Sequence, residues 1–175
     1  MVKKGDPKLP PTGWRKHLWR APIYLYRVGL GPILGKRFLL LTHRGRKSGL
    51  PRQAVIEIVR YDPEEEVYYV ASGFGATSDW HRNLQAHPQA TIQIGNKTYP
   101  VRAHFLSPEE SGEEMLHYAR KHRRAALELA RLIGLEIDDP EDDEEWRTMG
   151  RDFVPFVALQ VVSGERALSD DASNP

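Results

Sequence analysis

Residues Phe38 to Arg52 constrain this chain more than any other stretch. Phe38-Leu39-Leu40-Leu41 is an apolar run of strand length, and it leads into a turn bounded by Gly45 and Gly49. That turn holds Arg44, Arg46, Lys47 and Arg52 together with the small hydroxyls of Thr42 and Ser48. A buried strand therefore delivers a rigid, cationic loop to one rim of the fold. The glycines allow backbone conformations closed to other residues and Pro51 stiffens the exit. The cationic side chains offer point and forked donors to phosphate or carboxylate oxygens. Two readings stand side by side: an anion-binding loop and a solvated basic hairpin.

Charge is distributed to match the first reading. Residues 1–52 hold 13 Lys/Arg against the single Asp6, whereas the other 12 Lys/Arg share the remainder of the chain with 23 of the 24 Asp/Glu. The formal total of +1 hides this division. A cationic front implies an anionic partner, whether nucleic acid, an anionic membrane surface or a phosphorylated cofactor. No nucleic-acid motif accompanies the basic residues, so nucleic acid is not expected. The chain has no cysteine, which excludes disulfides and thiolate metal sites and suits a reducing, cytoplasmic setting. No metal site is expected. A length of 175 residues is enough for one domain with a sizeable core.

Residues 1–13 are polar and rich in proline and glycine, and read as a flexible tail. Residues 14–35 form an amphipathic helical segment: Trp14, Leu18 and Trp19 share one helical face, while Arg15, Lys16 and Arg20 lie off it. It bends at Pro22 and again around Gly29, Gly31 and Pro32, and it is not a membrane span. Peripheral membrane contact and a lid over the domain are its two readings. The barrel domain follows over 36–164, with a polar tail at 165–175. Gln53 to Tyr61 and Glu66 to Ser72 read as strands, with Glu57 in the first either paired to an arginine or on the solvated face. A second glycine loop, Gly73-Phe74-Gly75-Ala76, leads to a short helix capped by Ser78 or Asp79. Gln89 to Ile94 and Lys97 to Phe105 alternate and are joined by Gly95-Asn96 as a primed hairpin turn. Pro100 favours an edge or a bulge. Ser107-Pro108-Glu109-Glu110 has the cap, the N1 proline and the reciprocal glutamate of a helix start. That helix is expected to run unbroken to about Leu132, with Gly134 as its stop and Lys121 to Arg124 exposed. An acidic connection enters a short helix at Trp146, and Phe153 to Val162 is the last strand. About six antiparallel strands, each with one buried face, close into a small barrel, giving an α+β domain with a long helix before the last strand.

The two glycine loops, Arg44 to Arg52 and Ser72 to Trp80, each follow a strand. Together they suit a ligand with a charged tail and a flat ring. The segments LLTHRGRKSGLPR and YYVASGFGATSDWHRNLQAHPQATIQIGNKTYPVRA resemble the two signature blocks of the deazaflavin-dependent nitroreductase family. These are split β-barrel proteins related to the flavin-binding pyridoxamine-phosphate-oxidase fold. The resemblance spans residues 38–105, with a compatible strand at Val154 to Val162. It implies an oxidoreductase that binds coenzyme F420, an 8-hydroxy-5-deazaflavin, with FMN as the alternative. Hydride would pass to a small hydrophobic acceptor such as a quinone, nitro compound or enone. By the same resemblance Arg44, Arg46, Lys47, Ser48 and Arg52 hold the phosphate and anionic tail, and Ser72, Gly73, Phe74 and Gly75 line the ring. Trp80 buttresses the loop or touches the ligand, and Asn83 ties the helix to the loop. Ser72, Tyr118 or solvent supplies the proton, and Tyr118, His117 and His122 are candidates to stand in for the tyrosines that many relatives place in the substrate pocket. A homodimer is expected. The chain departs from many relatives in having Gly73 where they carry a lysine, which keeps a non-catalytic flavin-binding or lipid-binding barrel in view.

Overall fold

The computed structural model describes Lys3, Lys4 and residues 37–162. The expected segment 14–35 and the tail 165–175 lie outside the described residues, as does the tail 1–13 apart from Lys3–Lys4. Those two form β1, which pairs antiparallel with the two-residue β7, Leu135–Glu136. The remaining strands are β2 Phe38–Arg44, β3 Pro51–Asp62, β4 Val67–Ala71, β5 Gln89–Ile94, β6 Lys97–Phe105 and β8 Phe156–Val161. They close into a six-stranded antiparallel barrel in the order β2-β3-β4-β8-β6-β5, the α+β barrel expected. Closure leaves these strands without a free edge.

Period-two alternation places the barrel core. Leu39 and Leu41 of β2, Ile56 of β3, Ile92 of β5, Val101 and Ala103 of β6, and Val157 and Leu159 of β8 point inward and form one cluster. Register is held at the ends of the first hairpin, where Phe38 opposes Glu57 and Arg44 opposes Pro51. Glu57 pairs with Arg37 at 2.9 Å, so that strand carboxylate is matched to an arginine. The turn between β5 and β6 has Gly95 at φ +57°. Pro100 opposes Thr91 of β5 and lies one residue outside the β6–β8 ladder, which begins at Val101. Its missing N–H therefore costs that ladder nothing.

Among the described residues there are four α-helices, in chain order α1 Asp79–Ala86, α2 Pro108–Lys121, α3 Arg123–Leu132 and α4 Asp143–Asp152. α2 starts with the expected capping box, Ser107 Oγ accepting from Glu110 N and Glu110 Oε2 accepting from Ser107 N. The single long helix is corrected to two, broken at His122 with φ −135° and ψ 51°. Arg120 to Arg124 are all exposed, so at this turn no apolar side chain fastens the helix to the layer beneath. Below it, Met115, Leu116, Ala119, Ala126, Ala130, Trp146, Met149 and Phe156 make a second core outside the barrel. α4 begins at Asp143, not Trp146, because Asp142 Oδ1 caps it by accepting from Glu144 N at 2.9 Å. β8 is shorter than expected, since Phe153 closes α4. Arg60 fastens the barrel to α2 by pairing with Glu114 while its guanidinium stacks 3.7 Å from the Tyr69 ring centroid. Among the described residues no helix is long and apolar enough to cross a membrane.

Candidate active site at the barrel mouth

The two glycine loops meet. A cavity of about 830 Å³ is lined from the first by Gly45, Arg46, Lys47, Ser48 and Arg52 and from the second by Phe74, Thr77, Ser78, Asp79 and Trp80. His43, Gln53, Ala54 and Asn83 complete its wall.

The first loop is closed on itself by Gly45 N donating to Leu50 O at 2.9 Å and Gly49 N donating to Gly45 O at 2.8 Å. Gly49 sits at φ +67°, where a Cβ is strained, and a Cβ on Gly45 would lie 2.9 Å from Ser48 Oγ and 3.2 Å from Leu50 O. The second loop is tied by hydroxyls. Ser72 Oγ lies 2.7 Å from Gly75 O and 2.9 Å from Ser78 Oγ, and Ser78 Oγ is 3.1 Å from the same carbonyl. Ser78 occupies the N-cap position of α1 yet makes no side-chain cap bond, because its hydroxyl serves this knot. Gly75, at φ +71°, lets the chain turn into α1.

Asn83 joins the loops. Its Oδ1 accepts from Arg46 N at 3.0 Å and from the Arg46 guanidinium at 2.9 Å, while its Nδ2 lies 3.2 Å from His43 Nδ1. Arg46 also reaches Asp79 Oδ1 at 3.0 Å. β2 places His43 on the inward face above Leu39 and Leu41, so the imidazole is buried at the barrel end. Burial lowers its pKa from the ordinary 6.5, with Arg52 acting in the same direction and the Arg44 backbone and Asp79 opposing. Lys47 and Arg52 have no ion-pair partner among the described residues, so the mouth carries uncompensated positive charge.

Of the expected site residues, Arg46, Lys47, Ser48, Arg52, Phe74 and Trp80 line this cavity. Arg44 is exposed at the strand end, its guanidinium flanking Gly49. Ser72 is buried behind the wall with its hydroxyl engaged, and neither Gly73 nor Gly75 is among the lining residues. A Cβ on Gly73 would meet Leu129 Cδ1 of α3 at 3.1 Å, so this helix crowds the position where a longer side chain would stand. Tyr118 is not brought to the two loops. It lines a separate cavity of about 520 Å³ with Arg37, Glu57 and His122, and burial together with Glu57 raises its phenol pKa despite Arg37. His117 is exposed beside Arg60 and Glu113. Asn83 ties helix to loop, as expected. His43 was missed, although its place two residues beyond Leu41 on an inward-facing strand signals a buried imidazole at the rim.

Residues 21–128 match the family model described as F420H(2)-dependent quinone reductase. A Mycobacterium tuberculosis protein named for F420H(2)-dependent quinone reduction is 40% identical over 86 residues, covering 48% of this chain and 71% of that protein. Among solved structures, a pyridoxamine 5'-phosphate oxidase-related, FMN binding protein from Nostoc punctiforme superposes with a TM-score of 0.53 at 12% identity. That likeness covers 88% of this chain and 84% of the other, and shows the split-barrel fold. With more than half of its residues inside the family model, the chain belongs to the F420H(2)-dependent quinone reductase family.

Proposed function

We propose that this protein is an oxidoreductase that uses reduced coenzyme F420 to reduce a small hydrophobic acceptor of the quinone class, and that the barrel-mouth cavity holds the coenzyme. The observation that carries the reading is the convergence of the cationic loop and the aromatic loop on one cavity of about 830 Å³. The residues fit the coenzyme's parts. Lys47, Arg52 and the Ser48 hydroxyl would hold phosphate and carboxylate oxygens, and Arg46 would add a forked donor already oriented by Asn83 and Asp79. Phe74 and Trp80 offer apolar faces to a flat ring. When bound, the reduced deazaflavin supplies the hydride, and the chain supplies orientation and charge placement.

Reduction of a quinone to its hydroquinone also needs a proton. In this reading solvent at the open mouth provides it. The Ser72 hydroxyl is bound to Gly75 O, Tyr118 stands in another cavity, and burial disfavours the charged form of His43. The family name favours F420 over FMN. Contact of residues 14–35 with a membrane that carries the quinone, and a homodimer, belong to the same proposal. Vesicle co-sedimentation and light scattering test them.

Fluorescence titration of the full chain with oxidised F420 and with FMN tests the reading. F420 should bind at micromolar levels, and Arg46→Gln with Lys47→Gln should weaken it at least roughly tenfold, the loss of one charge-assisted contact or more. Binding of neither ligand at micromolar levels would overturn the assignment. Tight F420 binding without turnover of any quinone would make the protein a carrier instead.

A further inference from the structure

Among the contacts at the barrel mouth, the one between Asn83 and His43 has a fixed polarity. Asn83 Oδ1 receives two N–H donors from Arg46, at 3.0 and 2.9 Å, neither of which can act as an acceptor. The amide is therefore oriented with its NH₂ toward His43. An NH₂ group only donates, so His43 Nδ1, 3.2 Å away, must present its lone pair, and the ring proton of the neutral imidazole sits on Nε2. The protein has built a one-way chain of hydrogen bonds from the cationic loop through α1 to β2.

We infer that His43 is a positioning residue for the cofactor loop: its Nδ1 lone pair holds the Asn83 amide, the amide holds Arg46, and a proton on Nδ1 breaks the chain. The inference rests on the reading of this cavity as the coenzyme site. With Nδ1 protonated, two donors face each other across the contact. Flipping the amide relieves that clash only by turning the NH₂ onto the two Arg46 donors. Either outcome frees Arg46 from its alignment. The charged groups acting on the ring are Asp79 of α1 and Arg52, opposite His43 on β3; the next residue, Arg44, acts through its backbone, and β5 sets Ala90 opposite His43. Burial lowers the pKa of the ring below 6.5, so the chain is intact at neutral pH and fails in acid. Acid would loosen the coenzyme without touching the hydride chemistry.

Long-range proton–nitrogen NMR of the free full-length protein reads the tautomer, with the His43 signals identified by their loss in His43→Gln. At pH 7.5 Nδ1 should show the shift of an unprotonated nitrogen and Nε2 that of a protonated one. A proton on Nδ1, or averaging of the two, would overturn the inference. The functional arm compares F420 affinity between pH 8 and pH 5 in the natural protein and in Asn83→Asp, each relative to its own value at pH 8. The natural protein should lose tenfold or more in acid. Asn83→Asp, whose carboxylate accepts from Arg46 and from a protonated His43 alike, should keep its affinity to lower pH. His43→Gln should also flatten the acid loss, because its amide oxygen takes the Asn83 N–H at every pH in the range. Titration of the coenzyme itself is common to all three proteins and cancels. The same acid loss in all three would overturn the inference. Absence of F420 binding at any pH would instead remove the functional reading, and the tautomer of the free protein would still decide the role of His43.

Discussion

Arg46, Lys47 and Arg52 face one cavity with different degrees of freedom. Arg46 is already committed to Asp79 and Asn83, whereas Lys47 and Arg52 are without ion pairs among the described residues. Replacing Lys47 or Arg52 by Gln should therefore weaken F420 roughly tenfold each and reduce the salt dependence of binding, while thermal stability stays unchanged. A second histidine matters for stability. His81 is buried between Trp80 and Phe105, with ring centroids 5.7 and 4.9 Å away, and neither ring nitrogen has a hydrogen-bond partner. Burial lowers its pKa from 6.5; the Ala76 backbone lies close enough to oppose this but makes no bond of ordinary geometry. A histidine whose folded pKa is depressed takes up its proton more readily when unfolded. Stability is thus fully present above pH 6.5 and falls as pH drops through the folded value. Thermal melts from pH 8 to pH 5 should show that fall, and His81→Leu should reduce it without lowering the melting temperature at pH 8, since an unpartnered buried polar ring gives way to an apolar side chain.

Among the secondary-structure elements, the crossing of α2 and α4 is the tightest contact. Gly150 packs so closely that a Cβ there would lie 2.2 Å from Ser111 O and 2.7 Å from Met115 Cβ, and a Cβ on Gly112 would lie 3.0 Å from Arg147 O. Gly150→Ala should cost about 1–3 kcal/mol, read as a lower urea midpoint at unchanged slope; a neutral result would mean that the helices do not cross there. The elements differ in how far local pattern reveals them. The capping box at Ser107 and the strands around Gly95 could be read directly, because their determinants lie within a few residues of one another. The break at His122 could not, because helix propensity continues through Arg123 to Leu132 and what lapses is burial against the layer below. The glycine crossing was equally hidden: its reason is a neighbour 39 residues away in the chain, Ser111 against Gly150. The pairing of Lys3–Lys4 with Leu135–Glu136 is similarly non-local.

Across the whole molecule, barrel closure brings together loops that are distant in sequence. β2 and the β4-to-α1 connection both end at one rim, so Lys47 and Phe74 line one cavity. Loop chemistry was legible in residue type alone: glycines where a Cβ clashes, and cations without partners. Distance was not, which is why Tyr118 was considered beside Ser72 although the structure seats it in another cavity, and why Ser72 was a proton candidate although its hydroxyl is spent on the loop. His43 shows the same limit, for an inward-facing strand histidine reads as core until Asn83 is placed beside it. The central claim is that the two loops grip one ligand. Hydrogen–deuterium exchange of the full chain with and without oxidised F420 tests it most directly. Coenzyme should slow exchange in residues 45–50 and 73–80 together, at the same ligand concentration. Protection of only one segment, or of neither while F420 is bound, would contradict the account.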